Sequence, residues 1–212
     1  MSLSLCAVIL AAGESTRMGR DKALLPWPPV SEGAAPIGTF LSATIESLSS
    51  FSDLVIVVAG KNEANLAPLV YATAAALVVN PAPERGQFSS LQIGLHEVLN
   101  RGRDAAIVTL VDRPPAAAST IERLRTAFEL ATGRRQWAVV PEYGGKHGHP
   151  FIIGRELIEV FLRAPSSTSA REIEHQHLQY IEYVPVADPF VTMNVDTPAE
   201  YAALSASLAP RK

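Results

Sequence analysis

"AVILAAGESTRMGRDKALLPW", Ala7 to Trp27, is the stretch that sets the fold of this chain. Its first residues continue an apolar run that begins at Leu5. Then come Ala11, Ala12 and Gly13, three cations at Arg17, Arg20 and Lys22, and a second apolar patch. A near-continuous apolar run that breaks into small residues is the pattern of a strand covered on both faces. It returns at 53–59, 75–80, 105–111 and 137–141, and segments with helical spacing lie among these runs at 37–48, 89–99 and 121–130. Such alternation predicts an α/β fold with a mainly parallel sheet. Ligands gather at the carboxyl ends of strands in such sheets, which puts residues 11–22 at a binding edge.

The residue types of that loop suit an anion. Small side chains let backbone N–H groups approach it closely, while Arg17 adds a planar fork of donors and Lys22 a mobile point charge. Local charge has to do this work, because the net charge is −3 and gives no general attraction to nucleic acid or to an anionic membrane surface. A Walker loop is excluded by spacing: Gly13 and Gly19 enclose five residues, and "RDKA" follows. A G-x-G-x-x-G fingerprint is absent as well. These absences disfavour P-loop hydrolases and dinucleotide oxidoreductases and leave two readings, a polyphosphate cradle or a solvated basic turn.

With 212 residues, 48% of them hydrophobic, the chain can bury a full core, and no repeat or long linker divides it. A single domain over 1–212 is expected. Residues 28–36, "PPVSEGAAP", are too rich in Pro and Gly for regular structure and read as an exposed loop. Residues 142–153 read as a hairpin or turn with a short strand, the "GG" and "HG" pairs supplying positive-φ positions. Further expectations are a Ser-rich loop at 165–169, a helix at 170–177 whose polar end carries His175 and His177, strands at about 180–186 and 190–195, and a final helix opened by Pro198. The lone cysteine, Cys6, reads as a core thiol of a reduced compartment. No run nears the roughly 20 apolar residues of a membrane span, and no basic leader segment opens the chain. Cytoplasmic residence is the expectation.

Four more places carry chemistry. Asp112 follows the run at 105–111 and so projects from a strand's carboxyl end, as a turn or cap residue or as a metal ligand. Asp196 in "NVDTPAEY" is either a helix N-cap or a ligand. Ser89 and Ser90 open a helix after Gly86, as caps or as contacts to a ligand. His147 and His149, two apart with no third ligand, are a weak zinc pattern and suit hydrogen bonding better.

"LAAGESTRMGRDKALLPW" resembles the L-A-A-G-x-S-x-R-M-G-x-x-K-x-L-L-P signature of MobA-like NTP transferases, nucleotidyltransferases of the nucleotide-diphospho-sugar transferase fold, in the version of the molybdenum cofactor cytidylyltransferases. Four more stretches are similar to that family in order: "NPAPERGQFSSLQIGL" at 80–95, "VDRPP" at 111–115, "GGKHGHPFII" at 144–153 and "NVDTPAEY" at 194–201. The resemblance implies a three-layer Rossmann-like fold with a mixed, mainly parallel sheet. It puts Leu10, Ala11, Ala12 and Gly13 against a nucleoside triphosphate, Arg17 and Lys22 on its phosphates, and Asn80, Gly86, Ser89 and Ser90 beside the nucleoside. His149 and Pro150 would face the acceptor. Mg²⁺ would be held by Asp112 and Asp196, with Asn194 auxiliary, and Arg17, Lys22 and Asp112 would be catalytic. Two departures stand out: Val111 occupies a usual glycine, and Asn194 a usual aspartate. "LAAG" rather than "LAGG" is similar to the cytidylyl branch and implies CTP. The implied acceptor is molybdopterin and the implied protein partner a molybdoenzyme. The rival readings are transfer to another phosphorylated small molecule, and a non-catalytic nucleotide- or cofactor-binding chaperone.

Overall fold

The computed structural model describes residues 4–29 and 37–208. The five apolar runs become β1 (Leu5–Leu10), β4 (Leu54–Ala59), β5 (Ala76–Val79), β6 (Ala105–Leu110) and β7 (Ala138–Tyr143). Short strands β2 (Pro26–Trp27) and β3 (Gly38–Thr39) pair with each other, β8 (Lys146–His147) folds back on β7, and β9 (Phe151–Gly154) and β10 (Ile181–Pro185) complete the sheet. The main sheet runs β5-β4-β1-β6-β9-β7-β10. β5, β4, β1 and β6 are mutually parallel, as are β7 and β10, and β9 runs antiparallel between β6 and β7. Strand order reverses about β1: β4 and β5 extend to one side, β6 to the other. The crevice at such a reversal is where α/β sheets place ligands.

Alternation along β1 builds two cores. Leu5, Ala7 and Ile9 face α1 (Phe40–Ser49), α2 (Glu63–Ala72) and α4 (Ala118–Gly133) through Leu41, Ile45, Leu66, Val70, Leu124 and Phe128. Cys6, Val8 and Leu10 face α3 (Gln87–Asn100), α5 (Arg155–Arg163) and α6 (Ala170–Gln176) through Leu91, Leu95, Leu157, Phe161 and Ile173. Helices thus cover both faces, giving three layers. Gly94 sets the spacing of α3: a Cβ there would stand 2.5 Å from Val8 Cγ1 and 3.0 Å from Val58 Cγ2. A third small core of Met18, Leu25, Phe40, Val195 and Leu204 ties α7 (Pro198–Leu208) to the loop after β1. Burial pushes the Cys6 thiol up to about 12, consistent with inert core packing.

Several expectations are corrected. No strand spans 190–195; Pro189–Thr192 is a 3-10 turn, because Pro189 presets its first φ and the Asp188 carboxylate accepts from Phe190 N at 3.0 Å. The helix expected from residue 37 starts at Phe40, where Thr39 and Ser42 form a reciprocal capping box and Gly38–Thr39 is occupied in pairing with β2. α2 escaped the sequence reading. It buries only Leu66 and Val70 and contains Pro68, so neither periodicity nor propensity announces it. In the 142–153 hairpin Gly144 and Gly145 adopt φ of +57° and +73°, as expected. Gly148 serves another purpose: a Cβ there would lie 2.1 Å from Val191 O, so the glycine permits a close crossing of two chain segments. Of the expected loop at 28–36, residues 30–36 lie outside the described residues.

Candidate active site

The loop after β1 is held by its own polar residues. Asp21 accepts from Ala23 N at 3.0 Å and from Asn62 Nδ2 at 2.7 Å, and Asn62 Nδ2 also donates to Ala11 O at 2.9 Å. Ser15 and Gly19 turn the chain through positive φ, and Ser15 Oγ accepts from Lys22 N at 3.2 Å. Gly60 lets the neighbouring strand end meet this loop, since a Cβ would stand 2.8 Å from Ala12 O. At Gly13, by contrast, a Cβ would meet nothing within 4 Å. Packing within the protein does not require that glycine, and the space against its backbone is open.

The charges converge as the sequence implies. Lys22 Nζ lies 2.5 Å from Asp196 Oδ1 and 3.3 Å from Asp112 Oδ2, and Arg17 Nη2 lies 3.2 Å from Asp196 Oδ2. Asp112 stands just past β6, and its carbonyl accepts from Val195 N at 2.8 Å, which brings the segment before α7 to the sheet edge. The capping ambiguity at Asp196 resolves: Thr197 caps α7, its Oγ1 accepting from Glu200 N while Glu200 Oε2 accepts from the N–H groups of Asp196 and Thr197. The Asp196 carboxylate is thereby left to the site. The hydrogen bond from Lys22, helped by the charges of Lys22 and Arg17 against partial burial, holds it below the usual carboxylate range. Asp112 Oδ1 is buried without a hydrogen-bond partner. Arg20 goes elsewhere, its guanidinium 5.8 Å from the Tyr201 ring centroid. Asn194 is exposed, and among the described residues no hydrogen bond joins it to these four charged groups.

A pocket of about 160 Å³ opens beside Lys22 and Asp112, walled by Leu10, Ala12, Gly13, Gly86, Ser90 and Val111. Gly86, at φ +94°, turns the chain into α3, and that conformation requires glycine. Asn80 and Ser89 lie beneath this wall rather than on it. Asn80 Nδ2 donates to Ser89 Oγ and Ser90 Oγ at 2.9 Å each, Asn80 Oδ1 accepts from Ala82 N, and Ser89 Oγ donates to Gly86 O. Their hydrogen bonds are spent in shaping the loop. Ala11 likewise sits under the cradle, its N–H bonded to Val58 O.

A second cavity, about 950 Å³, shares Leu10, Gly86, Gln87 and Leu110 with the first. Phe88, Val140, Phe151 and Phe161 give it an apolar floor, while exposed Arg85, Lys146 and Arg171 sit at its margin. Arg113 and His149 line it too; Pro150 is buried behind. Burial, reinforced by the Arg113 charge, pushes the His149 imidazole down to about 3, so it is neutral at physiological pH. Its Nδ1 is enclosed and has no hydrogen-bond partner. His147 stacks on Tyr183 with centroids 3.7 Å apart, and His177 packs against Trp137.

The sequence profile of the family described as the MobA-like NTP transferase domain matches residues 7–181, a span containing the cradle, Asp112 and both hollows' floors. The chain belongs to this family. As a MobA-like transferase it is a nucleotidyltransferase, and the two adjoining hollows are what joining two substrates requires. It is 26% identical over 196 residues to the "Molybdenum cofactor cytidylyltransferase" of Escherichia coli (strain K12), covering 92% of each chain. It is 32% identical over 158 residues to a "Probable molybdenum cofactor guanylyltransferase" of Mycolicibacterium paratuberculosis, covering 74% of this chain and 73% of that one. Its fold is similar to that of Rv0371C from Mycobacterium tuberculosis H37Rv, solved as a complex with manganese, at TM-score 0.74 and 24% identity over 97% of this chain and 100% of the other.

Sequence reasoning passed over Gln87 and Pro83 in the smaller pocket, and it gave no site role to Arg113, which lines the larger cavity. Arg113 carried a usable signal, since it follows Asp112 at the carboxyl end of a strand. Gln87 and Pro83 carried none, for their place depends on how the Asn80 network folds the loop.

Proposed function

We propose that this nucleotidyltransferase moves CMP from CTP to the phosphate of molybdopterin and releases pyrophosphate. The observation that carries the reading is the convergence of Lys22, Arg17, Asp112 and Asp196 at the mouth of a pocket that opens into a second, larger cavity. The triphosphate lies along the backbone of Ala12 and Gly13, with Arg17 and Lys22 turning from carboxylate to phosphate oxygens. Backbone donors and two cations already in place then stabilise charge on the departing pyrophosphate, which makes the catalysis chiefly positional and electrostatic. The cytidylyl and guanylyl relatives both fit this scheme. CTP is favoured by the likeness of "LAAG" to the cytidylyl branch, and Ala12 lines the pocket, where an alanine leaves less room than the glycine of "LAGG". The cavity's apolar floor and cationic margin suit a flat heterocycle that carries a phosphate. One domain working in the cytoplasm, where the Cys6 thiol stays reduced, completes the proposal.

The donor set fits a divalent ion. Asp112 Oδ1 is a buried oxygen without a partner, and Asp112 and Asp196 already share one cation. Among the described residues no group of three or more His, Cys, Asp or Glu could close around a metal, so phosphate oxygens and water would complete the shell, as magnesium prefers. Asp112 and Asp196 would hold that ion, which when bound supplies charge neutralisation across the reacting phosphates. The manganese complex of the M. tuberculosis protein supports a divalent ion here.

The test is to incubate purified protein with CTP, GTP, ATP or UTP and Mg²⁺, with and without molybdopterin, and to measure pyrophosphate. Release that needs both CTP and molybdopterin is expected. Release dependent only on another phosphorylated acceptor, or nucleotide binding with no release under any condition, would overturn the reading.

A further inference from the structure

The four charged groups on the nucleotide side cancel: Arg17 and Lys22 balance Asp112 and Asp196. Arg113, the next residue after Asp112, is different. It is half-buried, lines the large cavity and forms no ion pair among the described residues. Among the described residues its one side-chain hydrogen bond goes to a neutral acceptor, from Nη1 to Val191 O at 2.9 Å, and its enclosed Nε has no partner. A guanidinium drawn partly out of water is costly; the Asp112 and Asp196 charges offset part of that cost, and an anion docked directly against the guanidinium would offset more. The backbone reinforces this placement. Val191 O accepts from His149 N at 2.8 Å as well as from Arg113, and Gly148 makes the approach of these segments possible. His149 thus reaches the same cavity wall.

We propose that Arg113 is the anchor for the acceptor's phosphomonoester, holding the attacking phosphate in the large cavity on the far side of Asp112 from the nucleotide. The proposal rests on the nucleotidyltransfer reading above and names the residue that makes its second substrate reactive. Attack requires two anions to come within about 3–3.5 Å of one another. On the nucleotide side Arg17, Lys22 and the divalent ion proposed above are engaged by the triphosphate and the two carboxylates, and Arg113 supplies positive charge on the acceptor's side. The arriving phosphate is a dianion, so no base is needed. One of its oxygens forms a bond to the α-phosphorus, the bond from that phosphorus to the α–β bridging oxygen breaks, and the electron pair leaves with pyrophosphate. Arg85, Lys146 and Arg171 line the same cavity but are exposed where Arg113 is half-buried, which suits them to guiding an anionic acceptor inward.

Phenyl phosphate, a flat ring bearing a phosphomonoester, is the probe. Calorimetric titration of the full chain should show binding that falls at least about tenfold in Arg113→Gln, with part regained in Arg113→Lys. In turnover, Arg113→Gln should raise KM for molybdopterin by about 10–100-fold and leave KM for the triphosphate unchanged, a split that a merely structural role would not give. If Arg113→Gln fails to fold, the wild-type protein alone still decides: the Arg113 Nε–H resonance should move on titration with phenyl phosphate. Absence of phenyl phosphate binding to wild type, equal binding by Arg113→Gln, or an unmoved Nε–H resonance would each overturn the proposal. Arg113-dependent phenyl phosphate binding with no pyrophosphate release from any triphosphate would sink the transferase chemistry and leave the anion anchor standing. Pyrophosphate release with an acceptor KM indifferent to Arg113 would do the reverse.

Discussion

The two hollows that meet at Leu10, Gly86, Gln87 and Leu110 are built on opposite principles. The smaller one is tied down at most of its polar atoms, Asp112 Oδ1 excepted: Asn62 and Asp21 lock the first loop, Asn80 locks the second, and the four charged side chains at its mouth pair with one another. The larger one is about six times the volume, has an aromatic floor, and leaves Arg113 and His149 Nδ1 without matching partners. Polyphosphates are alike in every nucleotide, so a rigid complementary cradle suits them. An acceptor that must enter, turn and leave as a larger product is better served by space and by a few unmatched polar groups. On the proposed reading the difference teaches where each kind of information sits: reactivity in the small pocket, acceptor choice in the wide one.

Breaking the small pocket should have the largest effect. Asp112→Ala is expected to cut pyrophosphate release about 10³-fold or more while far-UV circular dichroism stays unchanged; a variant as active as wild type would remove Asp112 from the chemistry. A pair of glycines sharpens the contrast between cradle and scaffold. Gly13→Ala meets no protein atom, so its stability should stay within about 0.5 kcal/mol of wild type, while an intruding methyl against the triphosphate costs about 10² in kcat/KM. Gly94→Ala drives a methyl into Val8 and should lose about 1–3 kcal/mol in denaturant unfolding with kcat/KM per folded molecule unchanged. Equal behaviour of the two would deny that Gly13 is there for a ligand.

Ala12→Gly tests base choice. Removing one methyl from the wall should raise relative use of GTP over CTP by about tenfold, read from competing turnover, and no shift would separate Ala12 from base recognition. The smallest effect is on acid stability. Asp196 titrates below its ordinary value in the folded chain, chiefly through the Lys22 hydrogen bond, so its contribution is present above that ordinary value and lost as pH falls through the depressed one. Lys22→Met should therefore lower Tm relative to wild type at neutral pH, with the gap closing below about pH 4. A gap that widens on acidification would contradict the ion pair.

The strands were legible because both of their faces are buried, which leaves continuous runs of Val, Ile and Leu in the sequence. The convergence of Arg17, Lys22, Asp112 and Asp196 was legible only through the family resemblance, since by residue type alone Asp112 and Asp196 read equally as caps or turn residues. α2 was not, for Pro68 breaks the helical signal and only Leu66 and Val70 reach the core. The region 190–195 misled because Val191 and Val195 are buried for reasons of local crossing, not sheet pairing. Asn80 and Ser89 show the limit for polar residues: whether a hydroxyl meets a ligand or a neighbouring amide depends on a fold of the loop that spacing does not encode.

One link deserves its temporal meaning. Lys22 and Asp196, in contact across the site, are 174 positions apart in the chain. During synthesis the phosphate loop leaves the ribosome long before its last carboxylate does, and the nascent polypeptide carries an ammonium group waiting for its counterion. A product cut short before Asp196 would lack that carboxylate and also the Leu204 packing against Met18 and Leu25 that ties α7 to the first loop.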